Sequence, residues 1–160
     1  MMRKIEKGGR QGAVFGFMEG VVMLMGVLIG LATTGDRRIA VLGVLAAGVA
    51  DAFANSAGFH VSEEAEGIHT AKEVRLSTLW CLLGTIASTI AIIIPLILLP
   101  LNVAIYFALA IAIITLMLIA LYVSKYHRIK RWRLIIEYVL IGVVAAIAAH
   151  YIGKLIVSLV

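Results

Sequence analysis

The chain has 160 residues, of which 62% are hydrophobic and 14% are charged, and its mean hydropathy is +1.08. A soluble domain is only about half apolar, so this composition predicts an integral membrane protein. The net charge of +5 does not indicate a nucleic-acid partner, because the basic residues lie between apolar runs, where topology and lipid head groups explain them. The single cysteine, Cys81, excludes an internal disulfide and a cysteine-rich metal site.

The first apolar run, about residues 12–34, follows a basic head at residues 1–11 and is long enough to cross a bilayer. Glu19 is the only charged residue in this run. An ionised carboxylate is costly in hydrocarbon, which makes Glu19 a candidate functional residue. Four glycines form two small-xxx-small pairs that would let another helix approach closely: Gly16 and Gly20, and Gly26 and Gly30.

The second apolar run, about residues 39–61, follows a turn predicted at Gly35-Asp36-Arg37-Arg38. It is rich in small residues, including Gly58, which we assign to helix packing. It also carries four polar residues, Asp51, Asn55, Ser56 and His60. A helix this polar cannot face lipid on those sides, so we expect it to be central in the bundle. Residues 62–75 are hydrophilic and predict a helical extension that ends in a turn near Gly67.

Three further spans are predicted at about residues 76–99, 101–124 and 134–155. Pro95 and Pro100 bracket the turn between the third and fourth spans, and Pro95 is expected to kink the end of the third. Residues 125–133 form a basic, aromatic loop. The sequence therefore predicts an all-α membrane protein, a single transmembrane domain of five helices over residues 1–160.

The distribution of positive charge predicts the orientation of these spans. Of the 14 Lys and Arg residues, only Arg37, Arg38 and Lys154 would lie on the side opposite the N-terminus. The positive-inside rule then places the N-terminus in the cytoplasm and the C-terminus outside. We expect a multi-pass protein of the cell membrane, surrounded by lipid.

The acids of the first two spans form the predicted transport site. Glu19 and Met23 are four residues apart and share a helix face, and Asp51 and Asn55 have the same spacing. Carboxylate and amide oxygens suit divalent cations, and a thioether favours a transition metal. Carboxyl groups in a medium of low dielectric also bind protons more readily than in water, which gives a route to proton-coupled exchange. Met23 as packing and Asn55 as a bond between helices remain open alternatives.

A second candidate site lies where the second span leaves the membrane. His60, Glu63, Glu64 and Glu66 would place three acids and an imidazole at a cytoplasmic pore mouth. Such a mouth would concentrate cations and offer them a first metal site. The alternative is a solvated helix end with His60 as a polar tip at the interface.

The same residues carry a family resemblance. Met18-Glu19-Gly20-Val21-Val22 resembles the Asp-Gly element in the first helix of the vacuolar iron transporter family, whose members carry Fe²⁺ or Mn²⁺. The sequence VADAFANSAGFHVSEEAE at residues 49–66 resembles the family's small-rich second helix. It matches that helix at Ala50, Asp51, Gly58 and Ser62. The stretch from IPLILLP at residues 94–100 through the basic loop to residues 137–156 is similar to the family's third to fifth helices.

This resemblance implies a homodimer whose ion path runs between the protomers and is lined by the first and second helices. It implies export of Fe²⁺ or Mn²⁺ from the cytoplasm in exchange for protons, with the metal as substrate and no resident cofactor. Glu19 stands where the family mostly has Asp, and Asn55 stands where many members have a metal-binding Met. The connection at residues 62–75 makes this a short form that lacks the family's cytoplasmic metal-binding insertion.

Two other functions stay open at this point. A transporter of small organic cations would need an aromatic-lined cavity, for which the first two spans offer Phe15, Phe17, Phe53 and Phe59. A non-transporting scaffold would instead use Glu19 and Asp51 as protonated hydrogen-bond partners that hold helices together.

An enzyme is the least favoured class. The sequence contains no HExxH motif and no Gly-rich phosphate loop. His60 and His150 are predicted on opposite sides of the membrane, so they cannot share one site. We therefore expect no enzymatic activity.

Overall fold

The structure, a computed structural model, describes residues 2–126 and 129–159, with side chains from residue 9 onward. It consists of five helices: α1 (Met2–Ala32), α2 (Arg37–Glu66), α3 (Ala71–Leu98), α4 (Leu101–Val123) and α5 (Arg131–Leu159). Each is long and apolar enough to cross a membrane, and the described residues contain no strand. The predicted all-α architecture of five membrane-length helices is confirmed. Residues 127 and 128 of the predicted basic loop lie outside the described residues.

The first two helices begin earlier than the sequence predicts. The basic head is helical from Met2, so α1 is longer than its apolar run. The predicted turn at residues 35–38 ends at Asp36, whose Oδ1 accepts a hydrogen bond from the backbone N–H of Arg38 at 2.7 Å. An N-cap of this kind starts a helix, which is why Arg37 and Arg38 belong to α2 and not to the turn.

The predicted extension of the second span is present. Helix α2 continues to Glu66 and ends at Gly67, which adopts the left-handed conformation with φ 67°. Helix α3 starts at Ala71 after the N-cap Thr70, with a capping box in which Thr70 and Glu73 bond each other's backbone. Helix α3 then continues through Pro95 to Leu98, and the predicted kink there stays a prediction.

Helix α1 packs most closely against α3. A methyl group at Gly16 would overlap the backbone carbonyl of Cys81, and one at Gly20 would overlap the hydroxyl of Ser88. The Thr85 hydroxyl uses this proximity to donate a hydrogen bond to the Gly16 carbonyl at 3.1 Å. Small residues therefore bring the two backbones together, and buried hydroxyls bond across the contact.

Helix α5 packs against the C-terminal half of α1. Gly26 and Gly30 face Ala149, while Gly142 of α5 lies beside Leu116 and Met25. The rest of the core is a cluster of buried aliphatic side chains from α1 to α4, including Val21, Leu24, Leu28, Val44, Ile92, Leu96 and Leu116.

Contacts define the two ends of the bundle. At the N-terminal end, Gln11 of α1 meets Glu63 of α2, and Arg10 of α1 meets Tyr126 after α4. At the opposite end, Arg37 reaches the last turn of α3, where its Nε donates to the Leu96 carbonyl at 2.9 Å and its Nη2 donates to the Ile97 carbonyl. The α2–α3 and α4–α5 connections therefore share the N-terminal end.

One face of α2 is left uncovered by the rest of the chain. Small residues recur on it at every fourth position, and we call these residues the α2 stripe: Ala46, Ala50, Ala54 and Gly58. All four are exposed, and large apolar side chains such as Leu42 and Phe53 flank them. In a membrane this face must contact lipid or another protein.

Candidate functional site

Three side chains from two helices meet between α1 and α2. The Asn55 side-chain amide donates through Nδ2 to Oε2 of Glu19 and, at 3.3 Å, to Oδ2 of Asp51. We call Glu19, Asp51 and Asn55 the carboxylate–amide triad. The four-residue spacing of Asp51 and Asn55 places both on the side of α2 that faces Glu19.

The carboxylate–amide triad lies at mid-depth in its helices. Glu19 is near the middle of the apolar part of α1, Gly9–Ala32, and Asp51 is near the middle of α2, Arg37–Glu66. All three side chains are half-buried within the single chain. Two acids are thus held together near the middle of helices that are long and apolar enough to cross a membrane, an arrangement that favours a shared positive partner.

The Met23 side chain does not join the carboxylate–amide triad. It packs against the aliphatic core and, together with Met18 and Glu19, lines a cavity formed by α1, the end of α4 and α5. Asp51 and Asn55 do not line that cavity. Of the four residues predicted for the transport site, the structure brings together Glu19, Asp51 and Asn55, while Met23 lies on the cavity side of α1.

This α1/α4/α5 cavity has a volume of about 940 Å³. Four aromatic rings contribute to its wall, from Phe15, Tyr122, Tyr126 and Tyr138. The remaining lining is mostly aliphatic, and in the part of the chain that the structure describes it includes one acid, Glu19, and one base, Arg10. Glu19 therefore belongs both to the carboxylate–amide triad and to the cavity wall.

A stack of charged and aromatic groups lies at the N-terminal end of this cavity. The Arg10 guanidinium sits 4.1 Å from the centre of the Tyr126 ring, and the Tyr126 and Tyr122 rings meet edge to face at 5.6 Å. The hydrogen bond with Tyr122 and the positive charges of Arg10 and Lys125 lower the pKa of the Tyr126 hydroxyl. The stack connects the beginning of α1 to the end of α4.

The predicted group at the end of α2 divides into two parts. His60 turns toward α3, with Nδ1 2.9 Å from the Thr78 hydroxyl, and its Nε2 lies 3.3 Å from Oε1 of Glu64. Glu63 instead turns toward α1 and is only 4% exposed. Its carboxylate accepts a hydrogen bond from Gln11 Nε2 at 3.1 Å and lies 3.5 Å from Nε2 of His69.

Glu66 joins the second of these parts. One ligand atom each from Glu63, Glu66 and His69 lies within 4.8 Å of the others. Two carboxylates and an imidazole could hold a divalent cation, and groups of exposed acids are also common without one. Glu64, on the His60 side, is not a member of this group.

The five glycines assigned to packing have two kinds of surroundings. Gly16 and Gly20 contact α3, and Gly26 and Gly30 face α5. Gly58 differs, because a methyl group there would meet no described atom within 4 Å. Gly58 thus does not pack against a helix of its own chain and lies on the exposed α2 stripe.

Several residues of the site were not anticipated from the sequence. Gln11, the partner of Glu63, belongs to the basic head, where its position gives no signal. The rings of Tyr122, Tyr126 and Tyr138 lie far from Glu19 in the sequence. Only the four-residue spacing of Tyr122 and Tyr126 could have indicated a shared aromatic face.

Comparison of the chain with protein families, with curated proteins and with solved structures finds no match.

Proposed function

We propose that this protein is a membrane transporter of a divalent metal ion, Fe²⁺ or Mn²⁺, and that the carboxylate–amide triad is its transport site. One observation carries the proposal. Glu19 of α1 and Asp51 of α2, the acids at mid-depth of the first two helices, meet through the amide of Asn55. Ionisable groups at such depth are costly, and they mark ion pathways in membrane proteins.

The chemistry of the carboxylate–amide triad suits a divalent cation. The Asn55 Nδ2 group occupies the space between the two carboxylates, where a positive ion would be stabilised. A rotation of the amide would replace this donor by the amide oxygen. The cation would then have carboxylate and carbonyl oxygens, the ligands that Mn²⁺ prefers.

Proton exchange follows from the same pair of acids. Two neighbouring carboxylates repel each other when no cation lies between them, and uptake of a proton relieves this repulsion. Metal binding would release that proton, so metal and proton would move in opposite directions. The excess of Lys and Arg at the N-terminal end favours a cytoplasmic position for that end. Export of metal from the cytoplasm is the direction we propose.

The exposed α2 stripe supports a homodimer. It lies on the helix that carries Asp51 and Asn55, and its four-residue repeat of small side chains suits close contact with a second helix. Two copies joined there would bring their carboxylate–amide triads toward a common axis and enclose the path between them. Membership of the vacuolar iron transporter family, as a short form, would account for these features together.

The two acidic parts at the N-terminal end would serve as cation-collecting sites. Glu63, Glu66 and His69 form one and His60 and Glu64 the other. Negative charge at the mouth of a path raises the local concentration of cations and their rate of entry. In this proposal the metal reaches the carboxylate–amide triad from this end.

Flux measurements test the proposal. The parent protein and the Glu19→Gln, Asp51→Asn and Glu137→Gln variants are reconstituted in liposomes, and uptake of Mn²⁺ and Fe²⁺ is followed. Glu137 is exposed on α5 and serves as the matched control. We expect metal uptake by Glu19→Gln and Asp51→Asn to fall to that of empty liposomes, and uptake by Glu137→Gln to equal that of the parent. Parental flux in both triad variants would show that the proposal is wrong.

The same preparations separate transport from a scaffold role. If Glu19 and Asp51 only hold helices together, their replacement changes the oligomer in size-exclusion chromatography, and the parent itself shows no metal flux. Metal flux in the parent excludes that alternative.

A further inference from the structure

The α1/α4/α5 cavity is far larger than a metal site. Its volume of about 940 Å³ lies at the upper end of the range found for small-molecule pockets. A divalent ion needs several oxygen ligands at short distance. Among the described residues that line the cavity, Glu19 is the only acid, since Asp51 and Asn55 lie outside its wall.

The wall has the composition of a site for an organic cation. Phe15, Tyr122, Tyr126 and Tyr138 contribute aromatic rings, and Met18 and Met23 add polarizable thioethers. Aromatic faces attract cations. Arg10 already lies over Tyr126 and Lys125 over Tyr122, so Phe15 and Tyr138 are the rings to which we assign this attraction. The described lining holds one acid, Glu19, and one base, Arg10, whose guanidinium lies over the Tyr126 ring. Glu19 therefore offers a single negative charge, which suits a monovalent cation and not a divalent one.

Access to the cavity favours hydrophobic cations over hydrated ones. Arg10, stacked on Tyr126 at the N-terminal end, places a positive charge where a cation would arrive from water. Phe15 and Ile141, which line the cavity, are 43% and 45% exposed in the single chain. A cation that enters between these two side chains from the hydrocarbon of the membrane would reach Glu19 without passing Arg10.

We infer that the α1/α4/α5 cavity is a binding site for hydrophobic monovalent organic cations, with Glu19 as the counter-charge and the aromatic wall as the cradle. The inference goes beyond metal transport and does not depend on it. Glu19 connects the two sites because its Oε2 also accepts the hydrogen bond from Asn55. An organic cation in the cavity therefore competes with a metal ion for the same carboxylate.

Binding of tetraphenylphosphonium to the purified full-length protein tests this inference. Isothermal titration compares the parent with Glu19→Gln, Asp51→Asn, Tyr138→Leu and Tyr106→Leu. Tyr106 is 74% exposed on α4 and does not line the cavity, so it is the control for Tyr138. We expect saturable binding that Glu19→Gln abolishes and that Tyr138→Leu weakens by about 2- to 30-fold. Asp51→Asn and Tyr106→Leu should bind as the parent does.

Several results would overturn the inference. One is the absence of saturable binding in the parent. Another is equal binding of tetraphenylphosphonium and of neutral triphenylphosphine oxide, since an apolar groove alone would not discriminate charge. Should Glu19→Gln fail to elute as a folded species, the Tyr138→Leu and Tyr106→Leu pair decides, and equal affinities in that pair contradict the inference. We expect Asp51→Asn to lose metal flux and to keep this binding, so failure of either proposal is distinguishable from failure of the other.

Discussion

Asn55 donates a side-chain hydrogen bond to Glu19 across the α1–α2 contact and a second to Asp51 on its own helix. One amide group thus links two carboxyl groups that would otherwise repel each other. The amide N–H dipole offsets part of this repulsion, so we expect the state without metal to depend on Asn55.

Replacement of Asn55 by Ala should destabilise the protein in a pH-dependent way. At pH 8 the two carboxylates lose their shared donor, and a hydrogen bond to a charged group contributes about 1.5–3 kcal/mol. At pH 5 one carboxyl can be protonated and donate to the other, so the loss should be smaller. Thermal unfolding in detergent at both pH values measures this. Asn102→Ala, on the exposed start of α4, is the control. An equal loss at pH 5 and pH 8 would contradict the expectation.

The contact between α1 and α3 should not tolerate a single added methyl group. Gly16→Ala would place a methyl group against the backbone carbonyl of Cys81, which cannot rotate away. Overpacking of this kind costs about 1–3 kcal/mol, so a lower melting temperature is expected. Gly26→Ala is the matched control, because its added methyl group would meet nothing nearer than 3.8 Å. Equal melting temperatures of the two variants would contradict the close approach of α1 and α3.

Arg37 should stabilise the end of the bundle opposite the N-terminus. Its guanidinium donates to the carbonyls of Leu96 and Ile97, which lie in the last turn of α3 and lack helical partners. Arg37→Ala should cost about 1.5–3 kcal/mol. Arg38→Ala should change stability by less than about 0.5 kcal/mol, because in the described part of the chain only the backbone N–H of Arg38 is bonded. Chemical denaturation of the two variants compares them, and the reverse order would refute this role.

The α2 stripe should control the oligomeric state. Gly58→Leu adds a large side chain where the single chain has open space, so the monomer fold should be unaffected. A dimer joined through the α2 stripe would be disrupted, and the variant should elute as a monomer. Ala110→Leu, at an exposed position of α4, should leave the dimer intact. Light scattering coupled to size-exclusion chromatography gives the masses, and an unchanged dimer in Gly58→Leu would place the interface elsewhere.

The fold was largely predictable because apolar length and turn chemistry are local properties. Hydropathy identified the five apolar runs. The glycine that follows the polar last turn of α2 identified the turn at Gly67. The earlier beginnings of α1 and α2 were missed because both helices start in polar residues. Hydropathy identifies only the apolar run and not the end of the helix. The Asp36 N-cap was a usable signal that an apolar pattern does not include.

The contacts of the site were predictable only in part. The four-residue spacing placed Asp51 and Asn55 on one face, and the structure has both close to Glu19. The three-residue spacing of His60 and Glu63 could not show that their side chains point in different directions, because these directions depend on Thr78 of α3 and Gln11 of α1. Partners that lie far apart in the chain are fixed by packing and not by local pattern.

The most direct test is the location of Mn²⁺ in crystals of the protein soaked with the metal, by anomalous diffraction. The proposed function predicts an anomalous peak between the carboxylates of Glu19 and Asp51, absent from crystals of the Glu19→Gln variant. Peaks confined to the Glu63, Glu66 and His69 group, or no peak between the two acids at saturating Mn²⁺, would contradict a metal-transport role for the carboxylate–amide triad.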